Sequence, residues 1–251
     1  MLSPSDKKRL LNEFKSLQQH KHYFVSLVDD DLSKWKMGFI GPKDSAYECS
    51  LFVFSIDFNN NYPINPPLIK FITPMSDKCR MHPNLYACGK VCLNILNTWN
   101  SKMWNSKITI EEILMVIQSL LDNNPISYEP GQEKENCQKY FMVARYLSLL
   151  DGYFNVLNGA NKRIPETIIN DYKKFINNKY RLERVNIIID SFNFADKQTI
   201  KWFHGNLEID LIPIKFYTNI LLYKIEEENK KPKEIPKIEN NEIEFWECDW
   251  D

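Results

Sequence analysis

The stretch that decides the fold is His82-Pro83-Asn84-Leu85-Tyr86-Ala87-Cys88-Gly89-Lys90-Val91-Cys92-Leu93-Asn94-Ile95-Leu96. It lies within residues 75–106, which show no regular hydrophobic period and which we predict to form a loop. A loop of about thirty residues inside a globular protein usually has a function. The quoted stretch carries a histidine, two asparagines and two cysteines, and these side chains are compatible with three kinds of site.

A zinc site and a cysteine hydrolase both fit the stretch poorly. The potential zinc ligands in and before it are Cys79, His82, Cys88 and Cys92. Their spacing, C-x2-H-x5-C-x3-C, matches neither of the paired patterns that are typical of structural zinc sites. A hydrolase based on Cys92 would need Asn84 to orient His82, and we expect those two side chains, one proline apart, to diverge. We predict no metal ligand here.

The third interpretation is a thiol that holds an acyl group as a thioester. Such a thiol needs no adjacent general base, because a thioester is already activated and the attacking amine supplies the nucleophile. Asn84 suits the role of oxyanion donor, since its amide donates hydrogen bonds and adds no titrating group. Gly89 lets the backbone turn before Cys92.

The segments around this loop predict an α+β protein. Apolar residues at helical spacing indicate a first helix over residues 4–20, capped by Ser5 or Asp6. In the third predicted strand, aromatic residues alternate with smaller ones, which indicates a strand buried on one face. The four predicted strands cover residues 23–28, 36–40, 48–58 and 68–73.

Helices are predicted for most of the remaining chain. Thr109 and Glu112 form a capping-box pattern at the start of a helix over residues 109–122. Pro165 suits the first position of a later helix. The last 26 residues contain ten acidic side chains and four lysines, which is typical of a solvated tail. The two further helical patterns cover about residues 135–158 and 165–185.

Together these features resemble the ubiquitin-conjugating enzyme family, whose members carry ubiquitin between an activating enzyme and a ligase. The eight-residue spacing from Asn84 to Cys92 is the spacing of the family's asparagine and cysteine. The other matching segments are Tyr62-Pro63-x-x-Pro66-Pro67, His82-Pro83-Asn84, Gly89-Lys90-Val91-Cys92-Leu93 and Trp104. Ile117-Gln118-Ser119-Leu120-Leu121 and Asn124-Pro125 resemble the Z-type subfamily, whose members carry a helical extension after the core.

The resemblance implies three regions along the chain. Residues 1–131 form a core of the ubiquitin-conjugating fold, with an N-terminal helix, a four-stranded antiparallel meander, a catalytic loop and a crossover helix. Residues 132–225 form a mainly helical extension that packs on this core, on the side away from Cys92. Residues 226–251 form an acidic, mobile tail.

The resemblance also assigns roles to side chains. Cys92 becomes the thioester cysteine, and Asn84 becomes the oxyanion donor or, on a rival view, a residue that orders the loop. His82, Pro83 and Gly89 structure the site. The surface for the activating enzyme on the first helix comprises Lys7, Lys8, Arg9 and Lys15. The candidate contacts for a ligase are Ile64, Trp104, Asn105 and Ser106.

One departure from the family concerns the acceptor lysine. Many members carry an acidic residue after the helix that corresponds to residues 109–122 here. This acid helps to desolvate the incoming lysine. That region here reads Pro125-Ile126-Ser127-Tyr128, with no acid before Glu129. Ser127 or Tyr128 is the candidate substitute.

The function that the resemblance implies is acyl transfer. Ubiquitin arrives from an activating enzyme, forms a thioester with Cys92 and passes to a lysine of a protein substrate, usually with a ligase. The chain has no phosphate-binding glycine loop, so we expect it to bind no cofactor and ATP to be used upstream by the activating enzyme. Two alternatives stay open: a non-catalytic ubiquitin-binding scaffold of the same fold, and a carrier for a different ubiquitin-like modifier.

Composition indicates where in the cell the protein acts and which partners are excluded. The chain has 251 residues and a net charge of -1, which argues against a nucleic-acid partner, and no apolar run approaches the roughly 18 residues of a membrane span. A charged N-terminus and six cysteines predict a reduced protein of the cytoplasm or nucleus. The excess of lysine, isoleucine and asparagine indicates an A/T-rich genome, such as that of a protist or a large DNA virus. For a virus, the expected location is the host cytoplasm.

Overall fold

A computed structural model of the protein describes residues 2–75, 80–128, 137–193, 197–202 and 205–230, without the side chains of residues 201, 202, 205, 206 and 230. Among the described helices, none has the length and apolar composition that a membrane span requires. The elements of the first half are α1 (Pro4–Gln19), β1 (Tyr23–Val28), β2 (Asp31–Ile40), β3 (Leu51–Asp57), β4 (Leu68–Phe71) and α2 (Ile110–Leu120).

The first half folds as an antiparallel meander with the strand order β1-β2-β3-β4, accompanied by α1 and α2. The predicted α+β class is therefore confirmed. The helix cap predicted at Ser5 or Asp6 was wrong, because α1 begins earlier. The Ser3 hydroxyl accepts the Asp6 N–H and the Asp6 carboxylate accepts the Ser3 N–H, both at 3.2 Å. Pro4 then takes the first helical position, where an N–H donor is not needed.

The strand β3 is buried on both faces, whereas its alternation predicted one buried face. One face stacks four phenylalanine rings with centroids 5.1 to 6.0 Å apart: Phe39, Phe52, Phe54 and Phe71. On the opposite face, Leu51 and Val53 are also fully buried. The residues after 137 cover this face so closely that a Cβ added to Gly152 would lie 3.0 Å from the Leu51 carbonyl oxygen.

Polar contacts also join the second half of the chain to the segment between β2 and β3. The Tyr172 hydroxyl donates to the backbone carbonyl of Cys49 at 2.6 Å. The Arg184 guanidinium pairs with Glu48 at 2.8 Å and with Asp44 at 2.6 Å. The elements of the second half are α3 (Cys137–Leu147), a π-helical segment (Ser148–Phe154), α4 (Asn155–Leu157), α5 (Glu166–Ile176), α6 (Lys179–Asp190), β5 (Lys197–Trp202), β6 (Gly205–Asp210) and α7 (Ile212–Lys230).

We expect Asn161→Ala to lower the free energy of unfolding by about 2–3 kcal/mol. The Asn161 amide is 1% exposed and donates to the carbonyls of Ile72 and Thr73, at 3.0 and 2.9 Å, so alanine would leave both buried carbonyls without this donor. Chemical denaturation measures the change. Asn158→Ala is the matched control, since the exposed Asn158 side chain accepts only the Ala160 N–H at 3.0 Å. Equal losses in the two variants would contradict this role for Asn161.

The second half differs from its prediction in several details. The pattern over 165–185 forms two helices, α5 and α6, and Pro165 precedes α5 with an extended backbone instead of taking its first position. The hairpin of β5 and β6 and the helix α7 were not predicted. The helix α7 continues to Lys230, five residues into the predicted tail. Residues 231–251, and the predicted boundary at residue 131, lie outside the described residues, so the domain limits stay predictions.

Candidate active site

Reciprocal hydrogen bonds join Cys92 to Asn84. The Cys92 N–H donates to the Asn84 carbonyl at 2.9 Å, and the Asn84 side-chain amide donates to the Cys92 carbonyl at 2.8 Å. The chain between them turns back on itself, with the Tyr86 N–H donating to the Lys90 carbonyl at 2.9 Å. The two residues that the sequence proposes for catalysis therefore lie side by side.

Thr98 forms hydrogen bonds with the backbone on both sides of Cys92. This residue was not predicted from the sequence. Its hydroxyl donates to the Val91 carbonyl at 2.7 Å and accepts the Leu93 N–H at 2.9 Å. The two peptide groups that flank Cys92 are thus tied to one side chain. A single polar residue in an aperiodic loop gives no pattern from which this contact could have been predicted.

Gly89 is required by the geometry of the turn. Its φ is +92° and a Cβ at this position would lie 2.9 Å from the Phe71 carbonyl oxygen. The Gly89 carbonyl also accepts the Phe71 N–H at 2.8 Å, which fixes the turn against the end of β4. Pro83, at the start of the loop, is buried. Both residues therefore lie where a site-structuring role requires them.

His82 is a neutral, buried residue. Burial lowers the pKa of His82 to about 3, although a hydrogen bond with the backbone of Leu120 acts in the opposite direction. Its Nδ1 accepts the Asn84 N–H at 3.0 Å, so this nitrogen is not available to take a proton from a reactant. The side chain therefore contacts Asn84 through the backbone, and its Nδ1 is occupied by this hydrogen bond.

The two cysteines of the loop differ in exposure. Cys92 is 0% exposed, whereas Cys88 is exposed. A buried thiol cannot meet a second protein unless neighbouring residues move. The amide oxygen of Asn84 is also buried and has no hydrogen-bond partner in the described part of the chain.

Tyr128 connects this site to the end of α2. Its ring lies 5.1 Å from the His82 ring, and its hydroxyl donates to the Asp122 carboxylate at 3.0 Å. Burial, followed by the hydrogen bond with Asp122, raises the pKa of Tyr128. Ser127 is exposed, and its hydroxyl donates to the Asn124 carbonyl at 2.8 Å. Asp122 was not predicted from the sequence, although it is an acid two residues after the end of α2.

Three of the four cationic side chains proposed to contact the activating enzyme are exposed: Lys7, Lys8 and Lys15. Arg9 makes internal contacts instead. Its guanidinium pairs with Glu13 at 2.7 Å and donates to the carbonyls of Ser106 and, at 2.7 Å, Ile108. Arg9 therefore holds the loop before α2 against α1.

The candidate ligase contacts form one surface around two loops. Ile64 is 81% exposed, and the Trp104 indole N–H donates to the Pro63 carbonyl at 2.9 Å. Asn105 and Ser106 follow on the exposed part of the second loop. The side chain of Trp104 thus brings the two predicted segments together.

The described residues contain no group of three or more side chains that could hold a metal ion. Cys79, which completed the zinc spacing, lies outside the described residues. What the site offers chemically is a cysteine whose backbone carbonyl accepts a side-chain amide, on a loop whose flanking peptide groups are fixed. That arrangement suits acyl transfer through a thioester.

A four-stranded meander, two helices and a cysteine fixed beside an asparagine are what the family resemblance implied. The family described as ubiquitin-conjugating enzyme matches residues 9–144, more than half of the chain. The chain belongs to the ubiquitin-conjugating enzyme family.

Individual relatives include two of the Z type. Ubiquitin-conjugating enzyme E2 Z of Danio rerio is 42% identical over 112 residues, which are 45% of this chain and 34% of that protein. E2 Z of Homo sapiens is 41% identical over 105 residues, 42% of this chain and 30% of that protein. E2 2 of Candida albicans is 35% identical over 140 residues, 55% of this chain and 73% of that protein. The match thus spans about a third of the E2 Z relatives, and the Z-type resemblance is confirmed.

Proposed function

We propose that this chain receives ubiquitin from an activating enzyme as a thioester on Cys92 and transfers it to a lysine of a protein substrate, usually with a ligase. The observation that carries the proposal is the Asn84 amide, which donates one hydrogen bond to the Cys92 carbonyl at 2.8 Å. An amide nitrogen has two hydrogens. The second is available to an oxyanion that forms on the thioester of Cys92.

Each step balances without a cofactor on this chain. In loading, the Cys92 thiolate attacks the thioester of the activated modifier and the activating enzyme's thiolate leaves. In transfer, the lysine amine attacks the new thioester and forms a tetrahedral oxyanion. Its collapse restores the carbonyl group of the new amide, breaks the carbon–sulfur bond and expels the Cys92 thiolate, which takes up the proton that the amine nitrogen loses. ATP is consumed upstream, where the activating enzyme forms the first thioester. We place these steps in the cytoplasm or nucleus.

The complete burial of Cys92 favours a second candidate, a ubiquitin-binding scaffold that forms no thioester. If the chain is an enzyme, docking of the activating enzyme has to displace residues that cover the thiol. A carrier for a different ubiquitin-like modifier would use the same chemistry. One experiment distinguishes the three.

The test is a charging assay with the full chain, ATP, and a panel of activating enzymes, each with ubiquitin or a ubiquitin-like modifier. We expect an adduct with ubiquitin on a non-reducing gel that disappears with thiol reductant. If an adduct forms only with another modifier, the chain is a carrier for that modifier and not for ubiquitin. Binding of ubiquitin without any adduct across the panel would favour the scaffold.

We propose that Tyr128, held by Asp122, orders the lysine approach in place of the usual acid. We expect Tyr128→Phe to slow discharge to free lysine about fivefold, which is roughly 1 kcal/mol for one lost hydrogen bond, with charging unchanged. Single-turnover rates measure both. Ser127→Ala is the matched control, because the Ser127 hydroxyl contacts only the Asn124 carbonyl. Equal slowing by both variants would reject the role of Tyr128.

A further inference from the structure

A groove of about 400 Å³ lies between the sheet and the helices α5 and α6. Its apolar lining includes Phe24 and Ile40 from the sheet, and Phe175 and Tyr180 from the helices. Tyr180 is 66% exposed, so its ring is available for contact with another aromatic group. The groove therefore has the apolar surface that an aromatic side chain could occupy.

The charged side chains of the groove are mostly cations. Lys21, Lys43, Arg181 and Arg184 line it, with Glu48 as the one carboxylate. Arg184 already neutralises Glu48, at 2.8 Å. Neither Lys21 nor Lys43 forms an ion pair within the described part of the chain, and both are exposed. A ligand that combines negative charge with aromatic rings would match this lining.

Such a ligand is present in the same chain. Residues 239–251 read Glu-Asn-Asn-Glu-Ile-Glu-Phe-Trp-Glu-Cys-Asp-Trp-Asp. Six of these thirteen residues are acidic, three are aromatic and none is basic. Their charge and their rings complement the two kinds of side chain that line the groove.

The last turns of α7, which precede this segment in the chain, lie near the groove. Lys179, at the start of α6, pairs with Glu226 near the end of α7 at 3.4 Å, and the next two residues, Tyr180 and Arg181, line the groove. Residues 231–238 supply a connection of eight residues, which spans at most roughly 28 Å when extended. A tether of this length gives an effective concentration on the order of millimolar.

We propose that residues 239–251 bind in this groove within the same molecule, with their carboxylates near Lys21 and Lys43 and an aromatic ring against Tyr180. While the segment is bound, the groove is closed to acidic peptides from other proteins. An acidic partner that uses this surface has to displace the chain's own segment first.

A second groove serves as a control for binding to the first. It lies between α5 and α7 and is also lined by lysines, including Lys174 and Lys224. Lys174 pairs with Asp171 at 2.9 Å, and Glu228 adds a carboxylate to the lining. This groove therefore has less uncompensated positive charge than the first, and it serves as the matched control.

The experiment measures fluorescence anisotropy of a labelled synthetic peptide of residues 239–251 against the full chain at low ionic strength. A variant in which the six acidic residues of 239–251 are replaced by their amides is expected to leave the groove open. This tail-neutral variant carries E239Q, E242Q, E244Q, E247Q, D249N and D251N. We expect it to bind the peptide at least about tenfold more tightly than the unmodified chain, whose own segment competes at high effective concentration.

Charge reversals locate the binding site. In the tail-neutral background, Lys21→Glu with Lys43→Glu should weaken peptide binding at least about tenfold, while Lys174→Glu with Lys224→Glu should not. Thermal melting verifies that both double variants are folded. Should the first pair unfold, Lys21→Ala with Lys43→Ala replaces it, with the same expected direction.

Three results would overturn the proposal. Absence of peptide binding to the tail-neutral chain would reject the complementarity. Equal binding to the unmodified and tail-neutral chains would reject occupancy by the chain's own segment. Loss of binding only in the Lys174 and Lys224 pair would move the site to the second groove. None of these outcomes depends on whether Cys92 forms a thioester.

Discussion

Replacing Cys92 with alanine is expected to reduce adduct formation to background in a charging assay. The physical reason is that the other described cysteines lack the Asn84 contacts, and that the thiolate is the nucleophile in thioester exchange. Cys92→Ser should give an adduct that resists thiol reductant, because an ester has replaced the thioester. Cys92→Lys should give a stable amide. Non-reducing and reducing gels of the same reactions separate the three linkages.

Cys88→Ala is the matched control, since Cys88 lies four residues away on the same loop and is exposed. We expect it to charge normally. Among the described cysteines, its exposure makes it the thiol that a reagent meets first, so labelling experiments have to separate modification of Cys88 from charging. Loss of charging in Cys88→Ala with retention in Cys92→Ala would exchange the assignments of the two cysteines.

The fold was predictable where a local pattern decides it. The capping box of Thr109 and Glu112 forms as predicted, with the Glu112 N–H donating to the Thr109 hydroxyl at 3.2 Å. The four strands of the meander were predicted, the third of them from its apolar alternation, although β2 begins five residues earlier than predicted, at Asp31. These signals are contained within a few residues of the chain, which is why sequence alone was sufficient.

The second buried face of β3 was not predicted, because it depends on residues a hundred positions away. A signal was present in the strand itself, since Leu51-Phe52-Val53-Phe54 is a continuous apolar run, which is typical of a strand covered on both sides. The hairpin of β5 and β6 was also readable in principle. Leu207 and Ile209 recur at the spacing of two that indicates a strand.

The pairing of Cys92 with Asn84 was predictable from the sequence, whereas the residues that support this loop were not. Cys92 and Asn84 follow from a spacing, and the structure brings them into contact. Thr98 and Asp122 act through backbone contacts and a tyrosine hydroxyl, which no spacing encodes. Arg9 illustrates the converse: a cation on a helix face was assigned to a partner surface, and its guanidinium lies against Ser106 and Ile108 instead. The position of a charged residue on a helix does not predict which other segments of the chain contact it.

Replacing the amide of Asn84 is expected to separate loading from transfer. If the amide donates to the oxyanion, Asn84→Ala should slow lysine discharge about a hundredfold, or roughly 3 kcal/mol. Loading should change far less, because it is the exchange of one thioester for another. Asn84→Asp should behave similarly, since it places a carboxylate oxygen against the Cys92 carbonyl in place of the donor. Single-turnover discharge to free lysine and initial rates of charging are the measurements.

The rival role of Asn84, ordering the loop, requires its own control. Asn84→Ala removes the 2.8 Å hydrogen bond to the Cys92 carbonyl, so a slower reaction could follow from a loosened loop. Thr98→Val loosens the same loop from its other side, because it removes the contacts with Val91 and Leu93 and leaves the amide in place. We expect Thr98→Val to slow discharge at most about fivefold, or roughly 1 kcal/mol, because the two hydrogen bonds that it removes hold the loop alike before and during transfer and so affect the rate less than the stability. Equal slowing by the two variants would make Asn84 a loop-ordering residue. Slow charging with normal discharge in both Asn84 variants would assign the oxyanion to another donor.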